Sequence, residues 1–359
     1  MKILAITGFG RSGIDFIQSL FDSHPEVSQF PGYFFFDDFW SKIKHENNSE
    51  NIANEFISKH EKFFDSRLNL LERHHMLGED KKSFFLVNKK KFKEYFIDFF
   101  INQEINKKNV FYNLHYAYSL ASGENIDKKK IIVLNIHHIF RLKALEELDF
   151  ENIFTIRNPL ASLCSAVKHR IKYDGGKDLG PWSLYFHIER YFCGLKTLLK
   201  LKNKTHVIQL ELLHQKNVKV MKEIAAKLNI NYYQSLTNST YHGKLWWGDK
   251  LSGRDLNGVN SNFKNNIDYN FFYKKDIQCF EKYLKTFMEK YNYEISEKNL
   301  KFSTIKILPL KVEIEVWKRT ILSMNIKEIL LIFYYWIKRV RLMKINTNES
   351  LDFPDSIGK

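Results

Sequence analysis

The chain has 359 residues, 44% of them hydrophobic, and 56 Lys and Arg against 41 Asp and Glu give a formal net charge of +15. That length buries a substantial core, and one α/β domain with insertions fits it better than two equal halves. The basic balance draws anions of any kind, but no zinc-ligand spacing, RNA-binding aromatic string or basic heptad region is present, so no nucleic-acid partner is expected.

Residues 2–24, KILAITGFGRSGIDFIQSLFDSH, read as a buried strand, a glycine-rich turn and an amphipathic helix. Ile3, Leu4, Ala5 and Ile6 form an apolar run, and Phe16, Ile17, Leu20 and Phe21 share one helical face. Gly8, Gly10 and Gly13 fall in the turn, where glycines let the backbone approach an anion and the free N–H groups of a helix start point at it. The segment Gly10, Arg11, Ser12, Gly13 and Ile14 is therefore the expected phosphate cradle. Its spacing also satisfies a dinucleotide fingerprint, but the candidate second strand from Val27 to Phe30 ends in Gln29, Phe30 and Pro31 without the acid a ribose wants. The front of a Walker A loop fits too, but Ile14 and Asp15 stand where Lys and Ser/Thr would hold phosphates and Mg²⁺. A cradle that uses Arg11 and Ser12 and needs no metal is the third reading.

Residues 33–125 form an insert rich in Phe and Tyr, with helical periodicity over 51–71 and 91–105, and predict a helical cap beside the site. The segment IIVLNIHHIF then puts His137 and His138 just after a strong strand, Ile131 to Leu134, at the carboxyl edge where ligands gather. A strand alternates faces, so only one of the two is expected to point inward, and His137 fits the register better. A histidine suits base catalysis near neutral pH. Glu79 and Asp80 in the loop GEDKK are carboxylate alternatives.

Residues 151–170, ENIFTIRNPLASLCSAVKHR, repeat the strand-then-helix grammar, with Pro159 suited to a first helical turn. Arg157 stands at the strand exit and Ser165 two turns along the helix. Together they offer charge-assisted donors to a second phosphate, worth roughly 1.5 to 3 kcal/mol each. Asp15 reads as a first-turn helix charge near the positive end of the dipole.

On these residues the chain resembles the sulfotransferases that use 3′-phosphoadenosine 5′-phosphosulfate (PAPS), in particular bacterial and carbohydrate-type members. FGRSG with LFDSHPEV is similar to their 5′-phosphosulfate loop and RNPLASLCS to their 3′-phosphate motif, and the resemblance covers residues 1–30 and 130–260. It implies an α/β, P-loop-like three-layer fold with a central parallel sheet, PAPS as sulfuryl donor without a required metal, and in-line transfer to a carbohydrate hydroxyl with a general base. The acceptor would be a surface polysaccharide or lipid-linked glycan. Arg11 becomes the leaving-group cation and His137 or His138 the base, although Asn135 stands where cytosolic members carry Lys and Ile14 and Asp15 where many carry Thr or Ser. NSTYHGKLWWGD, followed by Gly253 and Arg254, resembles a late loop over the cofactor, which makes Lys244 and Arg254 candidates for the 3′-phosphate. A nicotinamide oxidoreductase of Rossmann type and a non-catalytic PAP-binding relative are the rival readings.

The expected organisation is a domain over 1–310 that includes the cap, a C-terminal amphipathic helix over 311–345 and a flexible tail over 346–359. The apolar run from Ile329 to Ile337 is far short of the ~20 residues that cross a bilayer. With Lys338, Arg339, Arg341 and Lys344 behind it, it reads either as a peripheral membrane contact or as a helix packed on its own domain or a partner copy. Trp182, Trp246 and Trp247 could stack on sugar rings or lie buried. Cys164, Cys193 and Cys279 have no metal spacing and read as free thiols of a reducing compartment. Met1 to Gly8 lacks the pattern of a signal peptide, so a cytoplasmic location is expected, with contact at the inner membrane face if the C-terminal helix docks there. Oligomeric state is not readable.

Overall fold

The computed structural model describes residues 1–174, 180–250, 255, 258–265, 267–295, 307–322, 325–343 and 352–358. β1 (Lys2–Gly8) leads through the glycine turn into α1 (Ile14–Phe21) and β2 (Val27–Tyr33). The insert follows as α2 (Phe36–Ile43), α3 (Ser49–Lys59), α4 (Glu61–Phe64), α5 (Lys89–Phe99) and α6 (Lys107–Ala121). Next come β3 (Ile131–His137), β4 (Phe150–Ile156), α7 (Pro159–Asp174), α8 (Pro181–Lys200), β5 (Thr205–Gln209), α9 (Leu210–Gln215) and α10 (Asn217–Lys227). A hairpin of β6 (Thr240–Tyr241) and β7 (Lys244–Leu245) precedes α11 (Lys274–Tyr283), α12 (Lys285–Lys290), α13 (Lys311–Leu322) and α14 (Ile326–Leu342).

Five strands form one parallel sheet in the order β2-β3-β1-β4-β5. The fold is α/β, with helices flanking a central parallel sheet. Its inner strands are near-continuous apolar runs because both faces are covered. After β1 the chain moves toward one edge, and after β4 toward the other. The carboxyl ends of these two neighbours therefore flank the crevice where ligands of such sheets collect. Register places Gly8 beside Thr155 and Thr7 beside His137, so the phosphate turn, the Arg157 exit and the histidine pair share one edge.

β2 runs three residues beyond its expected end, through Pro31 and Gly32, which an edge strand tolerates because its outer side makes no ladder bonds. The cap is held to this edge by aromatic packing. Phe30 stacks on Phe63 at 5.2 Å and on His115 at 4.1 Å, and Phe34, Phe56, Phe64 and Phe92 are buried around them. Trp246 and Trp247 are braces rather than open rings: their indole N–H groups donate to Glu72 O (2.6 Å) and Gly78 O (2.7 Å) of the cap. Trp182 is half-exposed.

The stretch read as one C-terminal helix is two helices, with Asn325 capping α14 through the Glu328 amide. Arg339, expected in a basic surface cluster, is fully buried and binds Glu313 Oε1 at 2.6 Å and Leu308 O at 3.0 Å, which pins α14 to α13. Residues 352–358, read as tail, are docked: Phe353 and Ile357 are buried, and Ser356 bridges to Val207 of β5. Lys344 lies outside the described residues.

Candidate functional site

The glycine turn has the backbone an anion cradle needs. Arg11 and Gly13 adopt positive φ, 64° and 87°, and Gly13 is the N-cap of α1, leaving the first amides of that helix unpaired within it. Gly10 lies against the Arg190 guanidinium, since a Cβ there would come within 2.8 Å of Arg190 Nη1. The Ser162 hydroxyl holds the Gly10 carbonyl, fixing the turn to the start of α7. Ile14 contributes backbone only, because its side chain is buried in the core.

Two residues of the turn depart from expectation. Ser12 is fully buried, its hydroxyl donating to Phe9 O at 2.5 Å and pairing with Thr155 Oγ1 at 2.9 Å. That hydroxyl locks the turn to β4 and is not directed at a ligand. Asp15 is not a bland helix charge. Its Oδ1 meets His137 Nε2 at 3.2 Å and accepts from Asn135 Nδ2 at 2.9 Å. Burial raises its carboxyl, but His137 and the Asn135 bond outweigh this and bring it down to about 2. Asn135 also donates to Gln18 Oε1 at 2.8 Å, so it clamps Asp15 and Gln18 together.

His137 and His138 both reach the site, contrary to strand alternation, because β3 ends there. The register slips between Ile6 and Thr7, and His137 takes φ 61°. His137 turns to Asp15 and lies edge-on to Tyr33 at 5.4 Å. His138 turns to α8 and accepts from Arg190 Nη2 (2.7 Å to Nδ1). Burial and the Arg190 charge push His138 down to about 2, so it is a neutral hydrogen-bond acceptor and a poor base.

The cations converge. Arg157 Nη1 donates to Arg11 O at 3.4 Å and its Nε to Asn265 Oδ1 at 3.0 Å. Burial pushes the guanidinium down from its usual value while Glu211 pulls it back. Glu211 in turn accepts from the Asn158 amide (3.1 Å), Asn265 Nδ2 (2.6 Å) and the Tyr293 hydroxyl (3.2 Å), fixing the Arg157 exit. Ser165, expected to work with Arg157, accepts from Arg11 Nε at 3.3 Å. Instead of two separate pockets the residues form one cationic surface, with Arg11, Arg157 and Arg190 around the same turn.

Lys244 is elsewhere. Its hairpin caps the far end of α1, where Asp22 accepts from the amides of His242 (3.0 Å) and Gly243 (2.9 Å). Arg254 lies outside the described residues. Glu79 and Asp80 are exposed on a surface turn, where Asp80 accepts from the Lys82 amide. A buried carboxyl within electrostatic reach of Asp15 and His137 is that of Glu72, which the sequence does not single out. It is buried, it bonds Asn69 Nδ2 at 3.2 Å, and burial with the nearby Asp15 charge raises it to about 7. Arg190 and Asp249 are likewise missed. Asp249 meets Arg11 Nη1 at 3.1 Å and reaches the turn on the loop after β7, which a Lys250 amide bond to Leu71 O ties to the cap.

Fold and site together define an α/β protein with a cation-ringed glycine turn at the carboxyl edge of a parallel sheet and a carboxylate-paired histidine next to it. Comparison with protein-family models finds no match, and comparison with curated proteins finds none. Among solved structures the chain is similar to the sulfotransferase domain of the Synechococcus PCC 7002 olefin synthase, at 13% identity and a TM-score of 0.43 over 71% of this chain and 81% of that one. It is also similar to the sulfotransferase domain from the curacin biosynthetic pathway, at 16% identity and a TM-score of 0.42 over 75% of this chain and 88% of that one.

Proposed function

We propose that this protein is a sulfotransferase that binds PAPS and sulfates a hydroxyl of a carbohydrate. The observation that carries the reading is the Asp15–His137 pair at 3.2 Å beside a turn ringed by Arg11, Arg157 and Arg190. The residues fit a bisphosphorylated nucleotide. Gly10 and Gly13 leave the loop backbone bare, and the hydrogen-bond partners of Arg157 among the described residues, an amide oxygen and a carbonyl, are uncharged, with the Glu211 carboxylate acting on the guanidinium through space. Within this one cationic surface the amides from Gly10 to Ile14, with Arg11, its partner Ser165 and Arg190, take the 5′ side, and Arg157 takes the 3′-phosphate. The carbohydrate class rests on the sequence resemblance alone.

PAPS supplies a sulfuryl group on an activated phosphate. His137 donates Nε2–H to Asp15 and keeps its Nδ1 lone pair for the acceptor hydroxyl. With PAPS bound, His137 would take the acceptor hydroxyl's proton as the new sulfur–oxygen bond forms, and Arg11 would balance the charge left on the phosphate when its own bond to sulfur breaks. Alignment, a positioned base and cations near the leaving oxygen are the demands of in-line transfer, and Arg11 meets the last by exchanging its Asp249 partner for the phosphate. The dinucleotide alternative is disfavoured by the sheet order, since β3 rather than β2 lies next to β1 and β2 ends in Tyr33 with no acid for a ribose.

The test is differential stabilisation followed by turnover. PAP should raise the melting temperature and NAD should not, and purified protein should transfer labelled sulfate from PAPS to a glycan acceptor. A shift by NAD alone would overturn the reading. Binding of PAP with no transfer to any of a broad set of hydroxyl acceptors would reduce it to the non-catalytic relative.

A further inference from the structure

We propose that α13 and α14 form a docking surface for an anionic lipid bilayer. α14 is apolar on two sides. One side carries Ile332 and Arg339 into the protein, and the helix lies along α8, with Tyr335 against Tyr185 at 5.3 Å. The other side faces solvent with Ile326, Leu330, Phe333, Tyr334 and Ile337 at 43 to 74% exposure, and Leu322 at the end of α13 is 81% exposed. Spacings of three and four residues put these side chains on one stripe along the helix. Large apolar side chains grouped in this way mark an interaction surface, whereas scattered ones need no explanation.

The flanks select the occupant. Lys327 and Arg341 are exposed on α14 beside the crest, Lys338 is half-buried on the same helix, and Lys318 and Arg319 are exposed on α13, against exposed acids at Glu315 and Glu328. Lys338 lies over the Tyr334 ring at 4.6 Å, a cation on an amphipathic ring of the sort that sits at headgroup level. A basic rim around an apolar crest complements a negative lipid surface. A second copy of the chain would set the same cations against each other. No described helix is long and apolar enough to cross a membrane, and the contact is therefore one of lying on the surface. The buried Arg339–Glu313 pair holds the crest as a fixed part of the domain, since breaking it would strand a charge. α8 presents Tyr185 to α14 and Arg190 to the phosphate turn, so docking would place the candidate site one helix away from the bilayer.

Flotation of the full chain with phosphatidylcholine vesicles, with and without phosphatidylglycerol, tests this. Binding should require the anionic lipid and weaken with salt. The doubly substituted L330E/F333E protein should lose at least about tenfold in vesicle affinity while keeping its melting temperature, because both side chains point to solvent. K327E/R341E should lose binding to the anionic vesicles by a similar factor. No flotation with either vesicle would overturn the proposal. So would binding that L330E/F333E leaves intact, or a concentration-dependent dimer in light scattering that L330E/F333E abolishes while vesicle binding is absent. None of these readouts involves PAPS, so the result stands apart from the assigned activity.

Discussion

Asp15, in the first turn of α1, and His137, at the end of β3, meet at 3.2 Å across the carboxyl edge of the sheet. The carboxyl is held at about 2: burial opposes ionisation, but the His137 charge and hydrogen bond and the Asn135 amide favour it more. Asp15 is therefore ionised throughout the neutral range. It acts as a positioning residue that fixes the ring and its tautomer, much as a buried carboxylate orients a general base elsewhere.

Removing that orientation should separate turnover from binding. Asp15→Asn is expected to lower kcat by about 10²-fold or more, since a positioned base contributes roughly 10² to 10⁴. His137→Ala should lower it at least as far, and both should keep PAP affinity within a few-fold. H138A should not reproduce the effect, because a ring held down at about 2 is too weak a base to take the acceptor proton. Single-turnover transfer alongside PAP titration checks this, and equal kcat for wild type and H137A would remove His137 as base. The low carboxyl value of Asp15 also sets a sign for stability. Its contribution is present above about pH 3.8 and is lost as the pH falls through about 2, so D15N should flatten acid unfolding there.

Asp249 holds Arg11 with a carboxylate oxygen at 3.1 Å, the kind of partner a phosphate would also be. The two anions compete for one guanidinium. Asp249→Asn should tighten PAP binding several-fold and slow its release, whereas R157A should weaken it by about 10- to 100-fold, the equivalent of one or two charge-assisted bonds. Calorimetric titration of both variants decides the matter. Weaker binding by D249N would make the aspartate a support for Arg11 and not its competitor.

Much of this edge is legible in the sequence, because strand, turn and helix are contiguous there and Arg157 stands where a strand must end. The rest depends on distant packing. Arg190 reaches Gly10 from the middle of α8, and nothing local in FHIERYF sets it apart from a helix-surface arginine. Asp249 arrives on a loop after β7. Strand alternation, applied to His137 and His138, stops working where the strand does, and a register slip turns both toward the site. Ser12 and Lys244 show the opposite error. A hydroxyl in the right motif is taken up by Phe9 O and Thr155, and a lysine in a familiar string sits on a hairpin that Asp22 draws to the other end of α1. Arg339 reads as part of a surface charge run because sequence cannot place Glu313 against it.

Glu72 carries a pH signature. Burial and the Asp15 charge raise it to about 7, so the folded protein holds this proton more tightly than the unfolded chain does. Its favourable contribution is complete below about pH 4.5 and is lost as the pH rises through about 7. Glu72→Gln should therefore leave stability near wild type at pH 4 and raise it at pH 8, by on the order of 2 kcal/mol. Urea unfolding at the two pH values checks the prediction, and a variant less stable at pH 8 would mean that the charged form of Glu72 is the one the fold favours.

Gly10 and Gly13 should respond differently to the same change. At Gly13 a Cβ would meet Leu210 Cδ1 at 2.5 Å, and φ is 87°, a conformation that costs an L-residue roughly 1 to 2 kcal/mol before any clash. G13A should lower the melting temperature and weaken PAP binding together, because the turn that aims the α1 amides is strained. At Gly10 the backbone does not need positive φ. The atom met is Arg190 Nη1, the mobile end of a long side chain, which can swing aside. G10A should therefore melt near wild type while binding PAP about tenfold less tightly, as one charge-assisted contact is displaced from the turn. Measured together, the two variants separate the shape of the turn from the cation above it. If G10A bound PAP as well as wild type does, Arg190 would have no part in holding the anion.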